Sequence, residues 1–118
     1  MKLRTELYRV KHDNSVTCVK LHGHIVISAS WDRTIKVSNR NDGILLHTFK
    51  HDGWCFNFDM LGNQLSVAAD DGIYIWSLST QERIEKISLG DRVYDVRFQG
   101  RSIIAACLNG QVYAVKME

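Results

Sequence analysis

The chain has 118 residues, of which 45% are hydrophobic and 9% aromatic, with three Cys, no Pro and a formal net charge of +2 at pH 7. So small a charge gives no argument by itself for a nucleic-acid or anionic-membrane partner, and no apolar run approaches the ~20 residues that span a bilayer. Met1-Lys-Leu-Arg-Thr-Glu6 opens with positive charge but has no uninterrupted apolar segment behind it. A signal peptide is therefore not expected, and the protein is expected inside the cell, in the cytoplasm, the nucleus or both. Cys18, Cys55 and Cys107 show no paired spacing and read as reduced, mostly buried thiols.

Taken in order, Thr5-Glu-Leu-Tyr-Arg-Val-Lys-His-Asp13 matches Ile44-Leu-Leu-His-Thr-Phe-Lys-His-Asp52. Residues 1–11 thus read as an outer strand whose own sheet does not precede it. From His12 onward a module of short strands recurs. First strands carry apolar residues at Val16, Val19 and Leu21, then at Cys55, Phe58 and Met60, then at Val93, Val96 and Phe98. A glycine follows each one, Gly23, Gly62 and Gly100, where a hairpin turn needs positive φ. Second strands hold a small residue, Ser28, Ser66 and Ala105, four positions before a turn residue, Asp32, Asp70 and Asn109. Apolar residues then alternate as Ile35 and Val37, Ile73 and Ile75, Val112 and Ala114, which is strand periodicity with one buried face. The modules divide one unit, 1–118, into 12–50, 51–88 and 89–118, the last without its outer strand.

A period near 40 residues with four short strands and a Trp closing the third resembles the WD-repeat family of β-propellers. The resemblance covers the whole chain. It implies an all-β fold of four-stranded antiparallel blades, about three of them, standing as an open arc or as part of a larger propeller. The family's blade carries His in the loop before the first strand, Ser or Thr in the second strand, Asp in the next turn and Trp in the third strand. The middle copy matches at His51, Ser66, Asp70 and Trp76; the first keeps His12, Ser28 and Asp32 but has Ser38 in place of Trp. The third keeps at most Asn109, with Ala105 and Val115 at the other places. The resemblance therefore implies a complete buried hydrogen-bond network only in the middle blade. Closed propellers have about four to eight blades. Three imply either that partners or self-association supply the rest, or that the chain is part of a longer one.

Ser28 with His12 and Asp32, and Ser66 with His51 and Asp70, look like serine-hydrolase triads. Neither Ser sits in a Gly-x-Ser-x-Gly elbow and each lies inside an apolar strand, so a structural role is favoured. His22-Gly-His24 offers two imidazoles without a third ligand nearby, a poor metal site, and no cofactor is expected. The loop before each first strand and the turn after each second strand share a rim. The loop positions hold Ser15, Trp54 and Arg92; the positions before the turn hold Trp31, Ala69 and Leu108. Trp and Arg are enriched among interface anchors, which makes Trp31, Arg33, Trp54 and Arg92 the candidate partner-binding residues. The expected function is a non-catalytic protein-interaction scaffold whose ligand is a protein or an acidic or phosphorylated peptide. A substrate-recognition propeller of an F-box-type ubiquitin-ligase adaptor is one parent that the resemblance implies. The alternative is a hydrolase or metal-dependent module built on a propeller. Nucleic acid is disfavoured, because Arg and Lys are scattered without a basic cluster.

Overall fold

The computed structural model describes residues 4–117. Its strands are β1 (Val16–His22), β2 (Ile25–Ser30), β3 (Thr34–Asn39), β4 (Leu45–Lys50), β5 (Cys55–Leu61), β6 (Gln64–Ala69), β7 (Gly72–Ser77), β8 (Arg83–Ile87), β9 (Val93–Gln99), β10 (Ser102–Cys107) and β11 (Val112–Lys116). They form antiparallel sheets in the orders β1-β2-β3-β4, β5-β6-β7-β8 and β9-β10-β11. Each sheet is one blade, and the three stand side by side in an open arc measuring 49 × 27 × 24 Å. The first hairpins turn at Gly23, Gly62 and Gly100, all with positive φ.

Blades touch through two apolar layers, one per junction. Ile27, Ile35, Phe49, Phe58, Leu65 and Val67 fill the first; Ile73, Ile75, Val93, Val96 and Ile103 fill the second. Each strand sends alternate side chains to its two faces, so a blade has a leading face toward the preceding blade and a trailing face toward the next. Hairpin registers make Val19, Phe58 and Val96 equivalent on the leading face. Phe58 and Val96 are wholly buried, whereas Val19 is 62% exposed. Ile35, Ile73 and Val112 are equivalent on the trailing face, and there Val112 is the exposed one, at 73%. Val112 and Ala114 therefore do not bury as their spacing predicts. Among the described residues no blade lies against them, and the inward face of β11 is carried by Tyr113 and Val115.

The strand expected over residues 1–11 is a second correction. Met1–Leu3 fall outside the described residues, and residues 4–12 pair with no strand. A strand needs a neighbour to satisfy its amides and carbonyls, and none flanks this segment among the described residues. It runs instead beside the leading face of the first blade, where the Tyr8 hydroxyl donates to the Arg40 carbonyl at 2.9 Å. Cys18, Cys55 and Cys107 are free thiols, each with its pKa raised by burial.

Candidate functional site

On one rim the loop before each first strand is bound to the turn after each second strand. Trp31 N–H donates to the Ser15 carbonyl at 3.0 Å, Asp70 to Trp54 at 2.8 Å and Leu108 to Arg92 at 2.9 Å. The turn position next to Trp31 and Leu108 in this equivalence is Asp70, not the buried Ala69 that sequence spacing suggests. In the first blade the tie is reinforced by side chains. His12 Nδ1–H donates to Asp32 at 2.9 Å, and His12 Nε2 lies 2.7 Å from Ser28 Oγ. Asp32 also accepts from the Asp13 amide and from both the amide and the hydroxyl of Thr34. Burial alone would raise the Asp32 pKa, but these donors outweigh it and hold the carboxyl down to about 2.

The middle blade is built differently, and the expected four-residue network is absent from it. Its first hairpin places Gln64 at the position of Ile25, which makes Val67 the counterpart of Ser28 and Ser66 the counterpart of Ile27. A shift of one residue sends a strand side chain to the opposite face. Ser66 accordingly points away from His51 and makes only a 3.4 Å bond to the Asp59 carbonyl. With Val67 beside it, His51 Nε2 accepts directly from the Trp76 indole at 2.9 Å. The turn from β6 to β7 is also shorter, Ala69 pairing with Gly72, so that Asp70 is turned toward the rim and Asp71 toward the loop. Tyr74 supplies the link: its hydroxyl accepts from the Asp52 amide at 3.3 Å and donates to Asp71 at 2.7 Å. Gly53 permits the approach, since a Cβ there would come within 2.8 Å of the Asp70 Cβ. Burial lowers the His51 pKa to about 4, which leaves the ring neutral and able to accept from Trp76.

Above these ties lies a row of aromatic rings. Trp31 stacks on Trp54 with centroids 5.0 Å apart, Phe56 lies edge-on to Trp54, and Phe56 meets Tyr94 at 5.1 Å. The Arg92 guanidinium sits over Trp54 at 5.5 Å, Phe56 at 5.3 Å and Tyr94 at 5.9 Å, with its Nε–H directed at the Asp70 carboxylate. Of the four sequence candidates, Trp31, Trp54 and Arg92 are brought together. Arg33 is exposed on the same turn, in a left-handed conformation with φ 73°, and its side chain makes none of these contacts. Phe56 and Tyr94 were not among the candidates. Their signal was present, because each stands two residues after Trp54 or Arg92 and at the same place in its first strand. Beside the row, Asp70, Asp91, Arg92 and Leu108 line a pocket of 350 Å³.

Ser28 lies in β2, a central strand flanked by β1 and β3, so the amides around it belong to the ladders and none is left to hold an oxyanion. Among the described residues no group of three or more His, Cys, Asp or Glu side chains is placed to hold a metal ion. His22 instead reaches the Gly62 carbonyl of the next blade at 3.3 Å.

A family model described as WD domain, G-beta repeat, matches residues 4–39. An F-box/WD-40 repeat-containing protein of Arabidopsis thaliana is 24% identical over 80 residues, 68% of this chain and 15% of that protein. The chain is thus similar to WD-repeat proteins. A Periodic tryptophan protein 2 homolog of Caenorhabditis elegans is 28% identical over 83 residues, 67% of this chain and 8% of that protein. The chain thus spans only a small part of the length of the curated relatives it matches. The computationally designed Ika8 protein superposes with a TM-score of 0.84 at 19% identity, over 94% of this chain and 36% of that one. The designed Ika4 protein does so with a TM-score of 0.59 at 17% identity, over 98% and 100%. At these identities the structural likeness concerns the fold alone. WD-repeat domains are generally non-catalytic and bind protein partners, and the repeat supports a protein-interaction scaffold. No helix among the described residues is long and apolar enough to cross a membrane.

Proposed function

We propose that the aromatic rim is a docking surface for an intracellular protein partner and that the chain performs no chemistry of its own. One observation carries this reading: the contacts from Trp31 through Trp54 to Arg92 and Tyr94 cross all three blades while Trp31, Trp54 and Tyr94 each remain more than a third exposed. Rings held rigidly at a surface lose little entropy on binding and offer a large contact area, which is the character of an interface anchor. The partner's own anchor is an aliphatic or aromatic side chain seated on the Trp31–Trp54 pair.

An acidic or phosphorylated flank beside that anchor is supported by Arg33, whose side chain has no hydrogen bond or ion pair among the described residues. It would also meet the Arg92 guanidinium, which is held beside the rim by the Asp70 carboxylate and the Tyr94 hydroxyl. Asp13 and Asp52, at equivalent loop positions, and Asp91 next to Arg92 confine such a flank to the arginine side of the rim. The F-box/WD-40 relative supports one setting, substrate recognition within a ubiquitin-ligase adaptor, in which this rim would be the reading surface.

The test is co-purification from cell extract with the parent chain and with Trp31→Ala and Arg92→Ala variants that keep the parent's unfolding midpoint. Loss of the same partner from both variants is expected; undiminished recovery with both removes the rim from consideration.

A further inference from the structure

Two short segments meet on the rim where the first blade joins the second, and each carries one Trp and one cation: Trp31-Asp-Arg33 and Lys50-His-Asp-Gly-Trp54. The His51 amide donates to the Arg33 carbonyl at 2.9 Å, and Lys50 stands across the β3–β4 ladder from Thr34, the residue after Arg33. The Trp31–Trp54 stack joins the same two segments. Arg33 and Lys50 are thereby held on neighbouring stretches of backbone beside the ring pair, both of them exposed and neither in an ion pair among the described residues. The exposure of Lys50 does not depend on what stands before the first blade. Its counterpart Ser88 is exposed as well, with a whole blade in front of it.

Arg33 occupies a backbone position that suits a different residue. The equivalent turn of the third blade has the same length and the same bonds. Gly110 N–H donates to the Cys107 carbonyl at 3.2 Å, as Arg33 N–H does to that of Ser30 at 3.3 Å, and the Gln111 amide bonds Asn109 as the Thr34 amide bonds Asp32. Gly110 has φ 82° and Arg33 φ 73°. A Cβ is disfavoured in that left-handed region, whereas Gly enters it freely. The Arg33 side chain offsets none of this cost with a hydrogen bond or ion pair among the described residues.

The surrounding charge agrees. Between residues 4 and 50 eight Lys or Arg stand against four Asp or Glu, whereas between 51 and 88 two stand against six. Of the acids nearest the two cations, Asp32 is turned inward to His12 and Thr34 with its side chain 9% exposed, and Asp52 lies 3.9 Å from the Lys86 ammonium.

We propose that Arg33 and Lys50 form a subsite for a phosphoryl group of the docked partner, presented by a phosphorylated side chain next to the residue seated on Trp31–Trp54. The inference rests on the rim being a docking surface and adds what stands beside the anchor and on which side. A guanidinium fork and an ammonium from two segments suit a group with close to two negative charges and three acceptor oxygens, whereas a lone carboxylate would be satisfied by Arg33 alone. The partner's flank therefore leaves the anchor toward the outer strands of the first blade, away from Asp70 and Asp91.

Titration of the 118-residue chain with phenyl phosphate and with benzoate, followed by amide and indole NMR shifts at constant ionic strength, tests it. Both probes carry a ring for the Trp pair, and only phenyl phosphate carries the phosphoryl group. Phenyl phosphate is expected to bind at least about tenfold more tightly than benzoate, shifting Arg33, Thr34 and Lys50 together with the Trp31 and Trp54 indoles. Arg33→Gly and Lys50→Ala should each weaken phenyl phosphate at least about fivefold. Arg33→Gly should also raise the urea midpoint, because Gly then stands in the left-handed turn. Trp54→Ala should weaken both probes alike. Equal affinity for the two probes, or undiminished phenyl phosphate binding in both cation variants, would overturn the subsite while indole shifts left the docking rim standing. A lower midpoint for Arg33→Gly would assign Arg33 to folding and overturn it likewise. Absence of indole shifts with both probes would overturn the rim and the subsite together.

Discussion

Ser28 and Ser66 stand on opposite faces of their blades, although each precedes a turn Asp by four residues. Ser28 Oγ meets His12 at 2.7 Å on the leading face, whereas Ser66 Oγ has only a marginal bond to the Asp59 carbonyl on the trailing face. Ser28→Ala should therefore cost about 1–3 kcal/mol, because it leaves a buried imidazole nitrogen without its partner. Ser66→Ala should change stability by no more than about 0.5 kcal/mol. Urea unfolding of the two variants separates the cases, and equal losses would mean that Ser66 has a partner of comparable strength.

Trp76 has two roles in the middle blade. Its ring packs at 4.9 Å from Phe49 and 5.3 Å from His51, and its indole N–H is the donor to His51 Nε2. Trp76→Ala removes packing and donor together and is expected to cost about 3–5 kcal/mol. Trp76→Phe keeps most of the packing and should cost about 1–3 kcal/mol for the unpaired nitrogen. Val115→Ala, at the equivalent strand position of the third blade, is the comparison. A loss there as large as that of Trp76→Ala would mean that the indole is not central to the blade.

These contrasts show what sequence spacing could and could not carry. Alternation and the glycines between first and second strands were legible, because hairpin turns and buried faces constrain residue type directly; the recurring strands followed from them, and the blade architecture from the resemblance to WD repeats. Of the residues expected around His51, Trp76 was legible, and the turning of Ser66 to the other face was not. The first hairpins are equally long, but the turn between the second and third strands is one residue shorter in the middle blade, so counting back from the turn Asp lands one residue off in β6. Matching Ser66 to Ser28 is correct as a count and wrong as a face. The burial of Val112 and Ala114 was misread for another reason, since alternation shows that a face is apolar but not whether another blade covers it.

Acid should act on the two histidine sites in separate pH windows. His51 has its pKa lowered from 6.5 to about 4, so the unfolded chain binds the proton more readily than the folded one. Its contribution is complete above pH 6.5 and is lost as pH falls toward 4, at most about 3 kcal/mol. The Asp32 carboxyl is lowered from 3.8 to about 2, so the stability it lends is present above 3.8 and is lost only below that, toward 2. Urea midpoints are expected to fall between pH 6.5 and 4.5 in the parent chain. His51→Gln should be less stable at neutral pH yet flatter over that interval. A parent curve with no slope there would show that His51 is not held neutral by burial.

If the rim docks a partner as proposed, Asp70 and Arg92 set how it receives charge. While the Arg92 Nε–H is held by the Asp70 carboxylate, part of its field is cancelled and an incoming acidic group competes with a tethered one. Both side chains are about a third exposed, so the pair is worth little to folding, roughly 0.2–1 kcal/mol. Asp70→Asn should therefore leave the unfolding midpoint nearly unchanged while releasing Arg92. For a partner with an acidic or phosphorylated flank, association should be faster and more sensitive to salt, because rim charges act mainly on the encounter rate. Arg33→Ala should slow it, and Trp54→Ala should cost at least about 2 kcal/mol of affinity by removing the anchor surface. Surface plasmon resonance at two salt concentrations reads all three. Slower association with Asp70→Asn would reverse the sign and assign a basic flank, for which Asp13, Asp52 and Asp91 would be the receiving groups.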